Sequence, residues 1–172
     1  MNRLLVVVDM QNDFVDGSLG TARAREIVPA VVHKVQEEAA AGSAIVFTKD
    51  THGTDYLETQ EGRKLPVVHC VKGTPGWELV PGLLPLAEGR KIIEKNTFGS
   101  TMLAHLAGKM KFDEIELIGL CTDICVISNA MILKAALPEA VVRVCASCCA
   151  GVTPESHQNA LEAMKMCQIE VI

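Results

Sequence analysis

Short aliphatic runs alternate along the chain with longer stretches of helical periodicity. Residues 4–8 form an unbroken run of Leu and Val, the pattern of a strand buried on both faces. Residues 27–41 place Ile27, Val31, Val32 and Val35 at helical spacing and stop before Gly42, which predicts a helix. A strand is predicted at 44–48, a short one at 91–94, a helix over 100–109 and a strand over 115–120. Residues 124–137 read as a long apolar helix stopped by Pro138. A strand follows at 141–145. Thr153 then reads as an N-cap with Pro154 at the first helical position, the helix runs to about residue 165, and a last strand covers 169–172.

This order predicts an α/β fold: a three-layer αβα domain with a mainly parallel, Rossmann-like sheet of about six strands and right-handed crossovers. A single domain is expected over residues 1–172, since the length suits one domain and no repeat or linker interrupts it. Between Asp50 and about Gly89 the periodicity fails. A segment that long, rich in Gly, Pro, Thr and His, is expected to be functional rather than a plain connection.

Composition narrows the function. Apolar residues make up 49% of the chain and charged ones 22%, which excludes a disordered chain. The net charge of −5 argues against nucleic acid or an anionic membrane as partner, because phosphates require clustered Lys and Arg. No apolar run approaches a membrane span, and no basic–apolar leader opens the chain, so a cytoplasmic protein is expected. In that compartment the seven cysteines read as thiols rather than disulfides.

In open parallel sheets, ligands bind beyond the carboxyl ends of the strands. The residues there are Asp9, then Lys49 to His52, then Lys95, then Cys121 to Cys125. Cys125 falls in the first turn of a predicted helix, where the dipole favours a thiolate, and a nearby Lys95 would do the same. The two effects together are expected to bring the thiol from about 8.5 to near neutrality. Asp9 is placed to accept the thiol proton, and backbone N–H groups at the helix start are placed to hold an oxyanion. Asp123 would oppose the thiolate or cap the helix. The same residues also fit a plainer arrangement, with Cys125 a small core residue, Asp9 in a turn and Lys95 solvated.

The segment Val8-Asp9-Met10-Gln11-Asn12-Asp13-Phe14 resembles the first motif of the isochorismatase-like cysteine hydrolases, in particular of their nicotinamidase branch. Gly119-Leu120-Cys121-Thr122-Asp123-Ile124-Cys125-Val126 resembles the nucleophile motif, and Lys95 falls where that family carries its lysine. The resemblance extends through Gly151-Val152-Thr153-Pro154-Glu155. It implies an Asp9–Lys95–Cys125 catalytic triad, a cis peptide between Leu120 and Cys121, and an oxyanion hole from the Cys121 and Cys125 amides. It also implies a homo-oligomer, since relatives often form dimers or larger assemblies.

Asp50 and His52 share a face on an extended stretch, with His69 further along. A carboxylate and two imidazoles suit zinc, iron(II) or manganese, although a lone Asp-x-His is more often a turn. The run Thr48 to His52, with the later His69-Cys70-Val71-Lys72-Gly73-Thr74-Pro75-Gly76, resembles the nicotinamidase metal region. That resemblance makes Asp50, His52 and His69 the ligands of a divalent metal, most simply zinc, with Glu58 or Glu61 as a fourth. In the family the metal binds and orients the pyridine nitrogen of nicotinamide. Phe14 and Phe98 are the implied substrate-ring contacts. Pro66 and Thr101 depart from the pattern, at positions where relatives carry aromatic residues.

Outside these motifs, Cys145-x-x-Cys148-Cys149 has redox or zinc spacing but reads as core or loop thiols. Cys70 is expected to point away from the metal, Cys167 to pack, and Met131, Met164 and Met166 to lie in the core. The expected function is metal-assisted hydrolysis of a small amide, nicotinamide first, through a thioester. Another carboxamide or ureido substrate is the alternative within that chemistry. A non-catalytic metal- or thiol-binding protein is the alternative outside it.

Overall fold

The computed structural model describes residues 2–172. Six strands form one all-parallel sheet: β1 (Arg3–Val8), β2 (Ala44–Asp50), β3 (Lys91–Lys95), β4 (Glu114–Leu120), β5 (Val141–Ala150) and β6 (Glu170–Val171). Their spatial order is β3-β2-β1-β4-β5-β6, so the winding reverses between β1 and β4. The helices are α1 (Asn12–Val15), α2 (Ala22–Ala40), α3 (Gln60–Lys64), α4 (Leu84–Ala87), α5 (Thr101–Met110), α6 (Ile127–Ala136) and α7 (Pro154–Met166). None of them is long and apolar enough to cross a membrane.

The unbroken apolar strands are explained by two separate cores. Alternate residues of β1 serve each: Leu4, Val6 and Val8 pack with α5, α6 and α7, while Leu5 and Val7 pack with α2. The three layers expected from the sequence are those observed.

Element ends differ from expectation for local reasons. Helix α2 starts at Ala22, not Ile27, because the Thr21 hydroxyl accepts the Ala24 N–H and caps it. Strands β2 and β3 run on to Asp50 and Lys95, so these two polar residues end strands instead of following them. A π-helical turn, Thr122–Val126, precedes α6 where a continuous α-helix was predicted. Strand β5 extends to Ala150, five residues beyond its aliphatic part, so the cysteine run lies on a strand and not in a loop. Met164 is buried and Met131 packs at the core edge, but Met166 is 85% exposed. Cys167 is exposed as well and packs against no core.

Gly119 controls how closely β4 approaches β1. Its φ is +115°, and a Cβ there would overlap the Val8 carbonyl oxygen. Gly119→Ala is therefore expected to destabilise the fold by at least about 3 kcal/mol, read as a lowered urea midpoint. An unchanged midpoint would contradict this packing.

Candidate active site

The reversal between β1 and β4 opens the sheet at the carboxyl ends of its central strands, where doubly wound sheets hold their ligands. Asp9 follows β1 with φ +48°, a left-handed conformation that turns the chain sharply at the strand end. Lys95 ends β3, and Cys125 lies in the π-helical turn after β4. The three side chains meet. The Lys95 ammonium is 2.6 Å from Asp9 Oδ2 and 3.4 Å from Cys125 Sγ, and it also donates to the Thr97 carbonyl at 3.1 Å. Thr48 donates its hydroxyl to Asp9 Oδ1 at 2.6 Å. Asp9, Lys95 and Cys125 are all buried. The other strand-end lysine, Lys49, is engaged elsewhere: it pairs with Glu78 at 2.9 Å and lies 3.0 Å from the centre of the Trp77 ring. Lys91, at the start of β3, is exposed.

The electrostatics correct one expectation. Cys125 is not brought toward neutrality. Burial pushes its thiol well above the ordinary range, the Asp9 carboxylate adds to this, and Lys95 opposes it only in part. Burial also pushes the Asp9 carboxyl up against the pull of Lys95. Burial alone would lower Lys95, but Asp9, Cys125 and Asp50 hold its ammonium firmly charged. Burial thus favours the protonated Cys125 thiol beside the Asp9–Lys95 pair. Asp123 neither caps the helix nor faces Cys125. Its carboxylate accepts the Val152 N–H at 3.2 Å, and the thiol it pushes up, together with burial, is Cys121, to about 12.

The Leu120–Cys121 peptide is cis, and Cys121 stands directly before the turn that carries Cys125. Asn129, buried one turn after Cys125, donates to the Cys125 carbonyl at 2.8 Å and to the Phe98 carbonyl at 3.1 Å. Its Oδ1 accepts the Ser100 N–H, so the nucleophile turn is tied to the segment after β3.

A second cluster adjoins the first. Potential ligand atoms of Asp50, His52, Glu61 and His69 all lie within 4.8 Å of one another. Glu61, on α3, is the carboxylate that joins; Glu58 is exposed and remains outside. His52 Nε2 is 2.9 Å and His69 Nε2 is 3.4 Å from Asp50 Oδ2. His69 Nδ1 lies 2.7 Å from the Val67 carbonyl, which leaves Nε2 to face the cluster. Burial works against the Asp50 carboxylate, but hydrogen bonds from both histidines hold it below the ordinary range. Burial and the Asp50 charge push Glu61 up. Two carboxylates and two imidazoles converging in a half-dry space fit a divalent cation. The Cys70 sulfur is not part of this group.

Both clusters open onto one cavity of about 230 Å³. Cys121 and Cys125 line it together with Asp50, Glu61 and His69, and Phe14, Leu65 and Phe98 are among its other walls. Phe14 packs at 5.5 Å, ring centre to ring centre, from His69. Phe98 stands at the mouth, 44% exposed. Pro66 and Thr101 are exposed and do not line the cavity, so the departures there change its approaches rather than its walls.

The sequence profile of the isochorismatase domain matches residues 3–172. The chain belongs to the isochorismatase family. It is similar to the nicotinamidase/pyrazinamidase of Mycobacterium tuberculosis, with 28% identity over 99% of this chain and 98% of the relative. An uncharacterized isochorismatase family protein of Bacillus subtilis is 33% identical over 76% of this chain and 78% of its own. Among solved structures, the zinc complex of a Pyrococcus horikoshii pyrazinamidase has a TM-score of 0.88 and 29% identity, covering 100% of this chain and 99% of that one.

Several residues that hold this isochorismatase-family site together were missed from the sequence. Gln11 is fully buried: its Oε1 accepts the Asp50 N–H at 2.7 Å, and its Nε2 donates to the Asp50 and Trp77 carbonyls. It fixes the end of β2 against the end of β1. Tyr56 is also fully buried, its ring 4.7 Å from that of His52 and 4.9 Å from that of His69. Gln11 stands inside the first motif, and Asn129 lies four residues past Cys125 on the same helix face, so both carried a readable signal. Thr48 and Tyr56 carried none beyond their neighbours.

Proposed function

We propose that this protein is a cysteine amidohydrolase that cleaves a small neutral carboxamide, nicotinamide being the best fit, to the acid and ammonia. The observation that carries this reading is the contact of Lys95 with both Asp9 and Cys125, where Cys125 lines a largely apolar cavity. Asp9 accepts the Cys125 proton as the sulfur attacks the amide carbon. Because burial favours the protonated thiol, attack and proton transfer proceed together. Lys95 keeps its charge throughout and steadies the carboxylate and the developing thiolate. The amides of Cys121 and Cys125 hold the carbonyl oxygen as it becomes an oxyanion. Asp9 then gives its proton to the departing nitrogen, which leaves as ammonia, and a thioester remains on Cys125. A water molecule attacks that thioester, Asp9 takes the water proton, and the acid departs as the thiol reforms.

Asp50, His52, Glu61 and His69 would hold a divalent ion, zinc matching their mixture of imidazole and carboxylate, and when bound it would supply a Lewis-acidic point that orients a ring nitrogen. Phe14 and Phe98 bound the space for a flat ring. The walls also select on charge. Asp50 and Glu61 line the cavity, no arginine does, and Lys95 is already paired. An anionic substrate, such as an N-carbamoyl amino acid, would find no unpaired cationic side chain there and would have to take the bound ion as its counterion in place of a ring nitrogen, which favours a neutral amide over the ureido alternative.

The test is ammonia release from nicotinamide, pyrazinamide and an N-carbamoyl amino acid, assayed together on metal-loaded protein. Both ring amides are expected to turn over, with kcat/KM at least about 10²-fold above the anion, the scale set by an unpaired buried charge. Preference for the anion would overturn the substrate assignment. No release from any of the three would leave a metal- and thiol-binding protein.

A further inference from the structure

On a regular strand, residues three apart point to opposite faces and stand about 10 Å apart. Cys145 and Cys148 instead face the same core. The ladder between β4 and β5 slips: Leu117 opposes Val144, but Gly119 opposes Cys149. Two steps along β4 are matched by five along β5, and the three extra residues form a wide bulge. An odd number of extra residues reverses the alternation. Cys148 therefore packs in the core beneath α2, and Cys145 packs at the edge of that same core, while Cys149 faces the opposite one. Within the bulge the Cys145 sulfur lies 3.4 Å from the Ser147 hydroxyl. Cys145 is partly open to solvent and Cys148 is buried behind it.

We propose that Cys145 and Cys148 form a peroxide-reactive dithiol, separate from the catalytic thiol, in which Cys145 is oxidised first and Cys148 resolves it to a disulfide. The bulge gives the pair its reach. Cys148, then Ser147 at 3.4 Å, lower the Cys145 thiol below its ordinary range against the effect of burial, with attraction from Lys34 of α2 added. Burial prevails on the other cavity and core thiols: Cys125, Cys121 and Cys149 are all pushed up, chiefly by it. Cys167 is exposed but has no thiol partner in contact.

The chemistry balances with a hydroperoxide as oxidant. The Cys145 thiolate attacks one peroxide oxygen, the O–O bond breaks, a sulfenic acid forms and hydroxide leaves. The Cys148 sulfur then attacks the sulfenic sulfur. An S–S bond forms, the S–O bond breaks, and the Cys148 proton departs with that oxygen as water. Two electrons pass from the sulfur pair to the peroxide.

The test is limited oxidation of the full-length folded protein with hydrogen peroxide, followed by alkylation of the remaining thiols and peptide mass analysis. The peptide following Arg143 is expected to lose two hydrogens and to escape alkylation at Cys145 and Cys148, before Cys125 or Cys167 changes. In Cys148→Ala, a dimedone adduct is expected on Cys145. In Cys145→Ser, neither disulfide nor adduct is expected in this peptide. The proposal is overturned if Cys145 and Cys148 remain alkylated while Cys167 or Cys125 is oxidised, or if Cys145→Ser leaves the two-hydrogen loss in place. None of these readouts uses hydrolase activity, so failure here and failure of the proposed function are distinguishable.

Discussion

Cys125→Ala is expected to lower ammonia release from nicotinamide by at least about 10⁴-fold while leaving the fold intact, because it removes the sulfur that the proposed mechanism bonds to the substrate carbon. The loss in stability should stay within about 1 kcal/mol, since the change removes one sulfur from a buried position that borders the cavity. Release at the wild-type rate would refute the mechanism. Asp9→Asn keeps the shape of the proton carrier but not its basicity, and it should lower kcat by about 10²–10⁴-fold. Lys95→Met should behave differently. It leaves the Asp9 carboxylate buried without its 2.6 Å partner, so it is expected to cost about 3–5 kcal/mol of stability as well as activity. The double variant Asp9→Asn/Lys95→Met should recover part of that stability and none of the activity. Urea unfolding of the four proteins separates these outcomes. A double variant no more stable than Lys95→Met alone would mean that the pair is not coupled in the way the geometry requires.

What was legible in the sequence follows from where the physics is local. The aliphatic runs at Leu4–Val8 and along β4 could only be buried strands, and the parallel sheet and its functional edge followed from them. Asp9, Lys95 and Cys125 were readable because each stands at the end of such a run, and the family motifs placed them in one site. Their mutual electrostatics were not readable. The helix dipole and Lys95 were visible along the chain. The burial that outweighs them is a property of the assembled site, and it turned an expected thiolate into a thiol. Choosing Glu61 over Glu58 had the same difficulty. Thr59 caps a short helix that carries Glu61 toward the histidines, and nothing in the spacing of the two glutamates shows which one turns inward. The extension of β5 was hidden because Cys145 to Ala150 has little strand propensity. Its pairing with β4 and burial against two cores override composition there.

Removal of metal should separate orientation from chemistry. Chelation, or His69→Ala, is expected to lower kcat/KM for nicotinamide by at least about 10²-fold, more than loss of an outer partner of a ligand costs. The effect on benzamide, the same carboxamide without a ring nitrogen, should be several-fold smaller. The reason is spatial. Residues of the candidate ligand cluster and Cys125 line one cavity, so a substrate with a donor atom remote from its amide would be held at both ends, and one without it at one. Alkylation of Cys125 by a small thiol reagent should survive chelation, because its partners Asp9 and Lys95 remain in place. Stability should respond too: metal at 1,000 times its dissociation constant adds about 4 kcal/mol if it binds only the folded chain. A hydrolase that instead used a metal-activated water as nucleophile would lose both amides equally on chelation and would keep its activity in Cys125→Ala. That pair of results would move the reaction from the sulfur to the metal cluster.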